Sequence, residues 1–91
     1  MSNSEMILEI VNEKGLHARA AARFVETVES FDAAAVVSRK GMVVSGDSIM
    51  GLMMLDASLG KKIEVSTSGT QSADLAKALK ELVSNKFGEG L

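Results

Sequence analysis

The only histidine of the chain, His17, lies in the segment Gly15-Leu16-His17-Ala18-Arg19, where a predicted loop leads into a predicted helix. The first backbone N–H groups of a helix lack internal acceptors, and the aligned peptide dipoles place partial positive charge there, so this end binds anions. An imidazole has an ordinary pKa of about 6.5, so much of it is unprotonated near neutral pH and able to attack an electrophile. These properties allow the ring to accept a phosphoryl group covalently, and the alternative is a histidine that serves only as a cap or a surface residue.

The charged residues of the same helix run against the order that a helix dipole favours. Arg19 and Arg23 open the helix, whereas Glu26 and Glu29 close it. Each misplaced charge costs about 0.3–1 kcal/mol, and the two arginines, one helical turn apart, also repel each other. An anion bound at His17 would remove this conflict, and the planar guanidinium of Arg19 suits phosphate oxygens. The charge order therefore supports an anion site around the histidine.

Composition limits the other kinds of function. The 91 residues, 46% of them hydrophobic, suit one small domain, residues 1–91, that folds without disulfide or metal staples. The chain has no cysteine and one histidine, so we expect no metal site and no cofactor. A net charge of -2 and only three aromatic residues, all phenylalanine, argue against a nucleic-acid surface.

The sequence also bears on location and partners. The first residues, Met1-Ser2-Asn3-Ser4-Glu5, lack the basic start and apolar run of a secretory signal, and no stretch approaches transmembrane length. The absence of cysteine fits a reducing cytosol. We therefore expect a cytoplasmic protein that does not insert into membranes, exists as a monomer and has other proteins as its partners.

Four segments have the alternation or composition of β-strands. Apolar and polar residues alternate in Met6–Val11 and again in Ile63–Thr67, which predicts two half-buried strands. Two short β-rich runs, Ala35–Arg39 and Met42–Ser45, flank Lys40-Gly41, which predicts a hairpin because glycine tolerates a positive φ. One-sided strand patterns require cover on one face of the sheet only.

Three segments have the helical spacing of apolar residues. The first covers residues 18 to about 30, the second residues 49 to about 55, and the third begins near Ser72 with Gly88 as its stop. The third helix opens with Asp74 and ends with Lys80 and Lys86, the charge order that a helix dipole prefers. The predicted element order is βαββαβα, an α+β fold with an antiparallel sheet and its helices on one face.

The short second helix is apolar around nearly its whole circumference. Leu52 and Leu55 are predicted to enter the core, which leaves Ile49, Met50 and Met53 partly exposed. Exposed methionines suit changing partners, because the unbranched thioether side chain adapts to different surfaces. The alternative is that all the apolar residues of this helix pack inward against the sheet.

Ser48 stands directly before this helix, at the end of Gly46-Asp47-Ser48. We predict it as the N-cap, whose hydroxyl accepts a hydrogen bond from the backbone N–H two or three residues further on. The loss of such a contact costs about 1 kcal/mol. A capping role is compatible with regulation at the same hydroxyl.

Two motifs together resemble one known family. Gly15-Leu16-His17-Ala18-Arg19 is similar to the active-site signature of HPr, the histidine-containing phosphocarrier of the phosphoenolpyruvate-dependent phosphotransferase system (PTS). Gly46-Asp47-Ser48-Ile49-Met50-Gly51-Leu52-Met53 resembles the regulatory-serine segment of that family. The resemblance covers nearly the whole chain and looks closest to the nitrogen-related branch, as found in alphaproteobacteria.

The resemblance implies a fold, a reaction and partners. The fold is the HPr open-faced sandwich, a four-stranded antiparallel sheet covered on one face by three helices. Enzyme I, charged by phosphoenolpyruvate, passes a phosphoryl group to Nδ1 of His17, which passes it to an enzyme IIA component, so the chain is a carrier and not a turnover enzyme. Ser48 is implied as the target of an HPr kinase/phosphorylase, and Ile49, Met50 and Met53, with the first helix, as the docking face.

Phosphoryl transfer to nitrogen depends on alignment and charge stabilisation. The N–H groups of Ala18 to Ala20 and the guanidinium of Arg19 are expected to hold the phosphoryl oxygens, while Arg23 attracts the acidic partner or the phosphate at longer range. Many members of the family have proline where this chain has Ala20. Proline presets φ in a first helical turn and lacks only an unneeded donor, so alanine keeps the helix without that rigidity.

Two other functions compete with this interpretation. Asp47-Ser48-Ile49 also resembles the phosphopantetheine attachment triplet of acyl carrier proteins, but those carriers are strongly acidic and all-helical, whereas this chain has a net charge of -2 and clear strand patterns. A protein-binding module that uses the methionines without covalent chemistry would leave His17 as a cap. That second alternative explains neither Arg19 nor Arg23.

Overall fold

The computed structural model describes residues 2–89, and Met1, Gly90 and Leu91 lie outside that range. The elements are, in chain order, β1 (Ser2–Glu9), α1 (Ala18–Glu29), β2 (Ala34–Arg39), β3 (Met42–Ser45), α2 (Ile49–Met54), β4 (Lys62–Gly69) and α3 (Ser72–Ser84), followed by a 3₁₀ turn (Lys86–Gly88). This order confirms the predicted βαββαβα arrangement. No helix in this part of the chain has both the length and the apolar character needed to cross a membrane.

The strands form one sheet in the order β1-β4-β2-β3, and every neighbouring pair is antiparallel. The register places Val65 of β4 opposite Met6 of β1 and opposite Val37 of β2. Ile63, Val65 and Thr67 are buried, whereas the residues between them are exposed. Because successive side chains of a strand point to opposite faces, one face of the sheet is packed and the other meets solvent, as predicted.

The apolar stripes of α1 and α3 supply much of the core. The buried residues are Ala20, Ala21, Phe24, Val25 and Val28 on α1, and Ser72, Leu75, Ala76, Leu79 and Val83 on α3. α3 packs on β1 and β4, while α1 contacts both α2 and α3. α1 is therefore supported by the other two helices as well as by its own buried stripe.

The hairpin between β2 and β3 forms at the predicted dipeptide. Lys40 and Gly41 have φ values of +51° and +83°. A two-residue loop with positive φ at both positions is a type I′ turn, whose twist matches that of the flanking strands.

The last helix ends earlier than its sequence pattern predicts. α3 stops at Ser84, and Gly88 (φ +78°) instead ends the 3₁₀ turn. Lys86 and Phe87 have φ values of +55° and +54°, which an α-helix does not accommodate, and this reversal of the chain buries the Phe87 ring completely. Lys86 therefore lies outside α3, whose last turn carries no basic residue, while Asp74 is confirmed in its first turn.

Candidate functional site

The loop before α1 is fixed against the segment that follows α2. Gly15 has a φ of +68°, and a Cβ atom on it would lie 2.7 Å from the carbonyl oxygen of Ala57 and 2.8 Å from Cα of Ser58. The next residue, Leu16, is buried and donates its N–H to the same Ala57 oxygen at 2.9 Å. Glycine alone combines this backbone conformation with so close an approach. The loop therefore fixes the position of His17, the residue after Leu16.

That residue, His17, is the N-cap of α1. Its backbone is extended (φ -80°, ψ -178°), and its carbonyl oxygen accepts the first helical hydrogen bond, from the N–H of Ala21 at 2.8 Å. Its side chain makes no capping hydrogen bond, and 27% of that side chain is exposed. The N–H groups of Ala18, Arg19 and Ala20 precede the first helical bond, so they are the unpaired donors that a helix start offers. The imidazole therefore stands beside the amides predicted to hold an anion.

One nitrogen of the ring contacts a carboxylate that sequence reasoning missed. Nε2 of His17 is paired with Oε2 of Glu89, 72 positions away in the chain. The other carboxylate oxygen, Oε1, accepts a hydrogen bond from Nδ2 of Asn12 at 3.0 Å. Asn12 is fully buried, and the same Nδ2 donates to the carbonyl oxygen of Gly15 at 2.8 Å. One side-chain amide thus connects Glu89 to the loop that carries the histidine.

These contacts favour the ionised form of Glu89. The hydrogen bond with His17 is the largest cause that lowers the pKa of Glu89 below its ordinary value of 4.5. The hydrogen bond from Asn12 and the charges of His17 and Lys14 lower this pKa further, whereas burial raises it. At neutral pH the imidazole therefore faces a carboxylate anion through Nε2.

Residues 85–89, which we call the terminal turn, bring Glu89 to this place. Arg23 donates from Nη1 to the carbonyl oxygen of Phe87, and a Cβ atom on Gly88 would lie 2.5 Å from that Nη1. Attraction of a partner by Arg23 stays a prediction, and the structure shows that Arg23 also holds the terminal turn against α1. No local pattern signals this turn, because Phe87 stands four positions after Val83 and so continues the helical spacing of α3.

Cations gather beside the carboxylate. A cavity of about 220 Å³ is lined by Glu13, Lys14, Arg19, Arg23, Gly88 and Glu89. α1 has no acidic residue in its first turn and no basic residue in its last, which confirms the reversed charge order. Arg19 is exposed and makes no hydrogen bond or ion pair within residues 2–89, so its guanidinium is available to a ligand.

A second cavity, of about 200 Å³, connects the histidine with α2. It is lined by Lys14, Leu16, His17, Met53, Asp56, Ala57 and Ser58. Ile49, Met50 and Met53, which we call the α2 patch, are 39%, 72% and 42% exposed, and Leu52 and Leu55 are buried, as predicted. Met54, which the sequence analysis did not assign, is also exposed. The α2 patch therefore reaches the imidazole through Met53.

Ser48 caps α2 as predicted. Its hydroxyl accepts a hydrogen bond from the N–H of Gly51 at 2.9 Å. A Cβ atom on Gly51 would lie 3.0 Å from this hydroxyl oxygen and 3.0 Å from Cβ of Val44, so the cap and the packing against β3 both favour glycine there. Ser48 is partly exposed, and the first residues of the α2 patch follow it directly.

Comparison with known proteins places the chain in a family. Residues 5–85 match the family described as the PTS HPr component phosphorylation site. The phosphocarrier protein HPr of Neisseria meningitidis serogroup A is 45% identical over 83 residues, which cover 91% of this chain and 93% of that protein. The phosphocarrier protein NPr of Escherichia coli K12 is 34% identical over 83 residues, which cover 90% and 92%. The crystal structure of HPr-C-His from Thermoanaerobacter tengcongensis aligns with a TM-score of 0.91 at 41% identity and covers 97% of this chain and 99% of that one.

A four-stranded antiparallel sheet under three helices, with a partly exposed histidine before the first helix, is the architecture of a small phosphocarrier. The chain belongs to the HPr family of PTS phosphocarriers. The open-faced sandwich implied by the sequence motifs is thereby confirmed. Identity is higher to the relative named HPr than to the relative named NPr, which represents the nitrogen-related branch.

Proposed function

We propose that this chain accepts a phosphoryl group on Nδ1 of His17 from phosphorylated enzyme I and passes it to an enzyme IIA component. The observation that carries the proposal is the state of the imidazole ring. His17 is partly exposed at the N-cap of α1, its Nε2 is paired with Glu89, and Nδ1 makes no hydrogen bond within residues 2–89. One ring nitrogen is therefore free beside helix amides and Arg19. Because the chain is the phosphoryl acceptor of one reaction and the phosphoryl donor of the next, it acts as a stoichiometric carrier and not as a turnover enzyme.

In this reaction the lone pair of Nδ1 forms a bond to phosphorus. The bond between phosphorus and the donor atom breaks, and its electron pair leaves with the donor. Negative charge is spread over the three equatorial oxygens, which the N–H groups of Ala18 to Ala20 and the guanidinium of Arg19 can neutralise. Transfer to the acceptor is the same step in reverse, so the site must hold the phosphoryl group without binding it tightly.

The α2 patch supplies the docking surface for both partners. Met50 and Ile49 expose apolar area, and Met53 shares a cavity with His17. A partner that covers Met53 is therefore brought next to the imidazole. Arg23 adds positive charge one helical turn beyond Arg19, which favours an acidic partner surface.

Phosphorylation of Ser48 by an HPr kinase/phosphorylase would regulate this docking. A phosphate on the Ser48 hydroxyl carries a charge of about -1.5 to -2 near neutral pH. The helix start tolerates this anion, because Ser48 is the N-cap of α2. A partner that docks on the α2 patch would be disfavoured, because a hydrated charge would stand directly before the exposed side chains of Ile49 and Met50. Docking should weaken while the fold persists.

Phosphorus NMR after mixing the chain with enzyme I and phosphoenolpyruvate tests the proposed transfer. We expect an acid-labile phosphohistidine in the wild type and no acid-labile phosphate in His17→Ala. Intact mass of the same samples separates a phosphate from the phosphopantetheine arm expected of an acyl carrier. An acid-labile phosphate on His17→Ala, or a wild type that accepts none, would contradict the proposal.

Neither of the two alternative functions accounts for the fold and the surroundings of His17 together. The four-stranded sheet departs from the all-helical fold of acyl carriers. A plain binding module gives no reason for unpaired amides, Arg19 and a carboxylate to surround one imidazole. We also propose that the protein is a cytoplasmic monomer, and sedimentation of the purified chain at the mass of a dimer would contradict the second part of that statement.

A further inference from the structure

The two nitrogens of the His17 ring have different surroundings. Nε2 faces the carboxylate of Glu89, while Nδ1 has no hydrogen-bond partner in the described part of the chain. A carboxylate anion accepts hydrogen bonds and donates none, so the neutral imidazole that pairs with it must carry its proton on Nε2. The lone pair of the ring is then on Nδ1, the nitrogen that faces away from Glu89.

Glu89 is itself held in place from two sides. The buried side chain of Asn12 donates to Oε1 of Glu89 and to the carbonyl oxygen of Gly15, so the carboxylate is tied to the loop that ends at His17. The terminal turn is fastened to α1 by the contact of Arg23 with the carbonyl oxygen of Phe87. These contacts therefore hold the carboxylate of Glu89 beside the imidazole ring of His17.

We propose that Glu89 is a positioning residue for phosphoryl transfer at His17, which rests on the proposed function of that histidine. Its carboxylate keeps the ring proton on Nε2, so that Nδ1 presents the lone pair, and it balances the positive charge that the ring acquires when the nitrogen–phosphorus bond forms. A buried carboxylate acts in the same two ways on the histidine of a serine-protease triad.

The steps balance without a further reactant. When Nδ1 bonds to phosphorus, the proton stays on Nε2, and the ring becomes a cation opposite the Glu89 anion. When the phosphoryl group leaves for the acceptor, the electron pair of the nitrogen–phosphorus bond returns to Nδ1, and the ring is again neutral with its proton on Nε2. Without that proton the leaving group would be an imidazolate anion, which is a much poorer one.

Glu89 shares its cavity with four other charged side chains. Lys14, Arg19 and Arg23 line the same cavity as Glu89 and carry positive charge, and Glu13 contributes a second carboxylate to the cavity wall. Glu13 makes no hydrogen bond or ion pair within residues 2–89. It is therefore a matched control, because its removal changes the charge of the cavity by the same amount without touching the ring.

Nitrogen NMR of the unphosphorylated imidazole tests the first half of the role. At about pH 9, well above the ordinary imidazole pKa of ~6.5, we expect the wild type and Glu13→Ala to show one neutral tautomer, with the proton on Nε2. Glu89→Ala should show a mixture of the two tautomers. Glu89→Gln keeps an acceptor oxygen without the charge and should retain most of the Nε2 tautomer.

The rate of phosphoryl transfer from phosphorylated enzyme I tests the second half. We expect Glu89→Ala and Glu89→Gln to be slower by about tenfold, equivalent to ~1.4 kcal/mol of activation free energy, and Glu13→Ala to change the rate by less than about twofold. Equal tautomer populations and equal rates in Glu89→Ala and the wild type would overturn the proposal. Faster transfer in Glu89→Ala would overturn it as well, because the terminal turn would then act as an inhibitory strap. If the wild type accepts no phosphoryl group, the proposed function of His17 is contradicted. If the wild type accepts one and Glu89→Ala accepts it equally fast with the same tautomer, only the role of Glu89 is refuted.

Discussion

Replacement of Gly15 by alanine should destabilise the protein more than the same replacement at Gly60. Both glycines have a positive φ, +68° and +88°, so alanine is strained at either position. They differ in what surrounds the new methyl group. At Gly15 it would meet the backbone of Ala57 and Ser58, whereas at Gly60 no atom of residues 2–89 other than those of its two chain neighbours lies within 4 Å. Gly60→Ala therefore measures the backbone strain alone.

The expected magnitudes follow from these two terms. A non-glycine residue in the left-handed region costs about 1–2 kcal/mol, which is the whole expected effect of Gly60→Ala. At Gly15 the distance from the methyl carbon to the Ala57 oxygen must grow from 2.7 Å to at least 3.4 Å, and overpacking of this kind adds about 1–3 kcal/mol. Gly15→Ala should therefore lower the free energy of unfolding by about 2–5 kcal/mol.

Urea unfolding of the two variants and the wild type measures this difference, and the rate of phosphorylation by enzyme I measures its consequence for the site. The loop that Gly15 closes against Ala57 carries His17, so the shift that relieves the clash also moves the imidazole. A misplacement of about 1 Å in a reacting group costs up to about 100-fold in rate. If Gly15→Ala is no less stable than Gly60→Ala and is phosphorylated as fast as the wild type, the close approach does not fix the loop.

Three further outcomes are expected. Because the pKa of Glu89 is lowered, the carboxylate stabilises the fold fully above its ordinary pKa of 4.5 and loses this effect as the pH falls through the lowered pKa. The difference in urea midpoint between the wild type and Glu89→Gln should therefore shrink in that acid range. A difference that stays constant with pH would exclude the contact with His17 as the source of the stabilisation. Ser48→Ala should lose about 1 kcal/mol of unfolding free energy with its cap, whereas Ser48→Asp should stay folded and bind enzyme I more weakly, and unchanged binding measured by calorimetry would refute the regulatory role. Arg19→Ala should transfer phosphoryl groups more slowly at unchanged stability, and a sharp loss of stability in urea would make Arg19 a structural residue instead.

Elements whose burial repeats with a fixed period could be predicted from the sequence. Ile63 and Val65 alternate with polar residues because one face of β4 is buried, and Phe24 and Val28 recur at helical spacing because one side of α1 packs on the core. Each of these patterns is local, so it is readable without knowledge of the tertiary structure. The exposure of Met50 followed from the same reasoning, since a short helix buries only one side.

The carboxylate at the histidine could not be predicted in this way. Glu89 and His17 are 72 positions apart, and their contact depends on the positive φ values of Lys86 and Phe87, which redirect the chain after α3. No periodic pattern encodes a single turn of this kind. The error at the end of α3 and the missed contact of Glu89 with His17 have the same origin, because a helix continued to Gly88 would have left no terminal turn to carry the carboxylate.

The two arginines near the start of α1, Arg19 and Arg23, differ in their contacts with the terminal turn. Arg23 donates to the carbonyl oxygen of Phe87, so its position near the start of the helix is compensated within the chain. Arg19 has no hydrogen bond or ion pair within residues 2–89 although it lines the same cavity as Glu89. The unfavourable charge that calls for an external anion is therefore concentrated on one arginine, two positions after the imidazole. This asymmetry is the reason to expect a change in transfer rate, and not in folding, when Arg19 is removed.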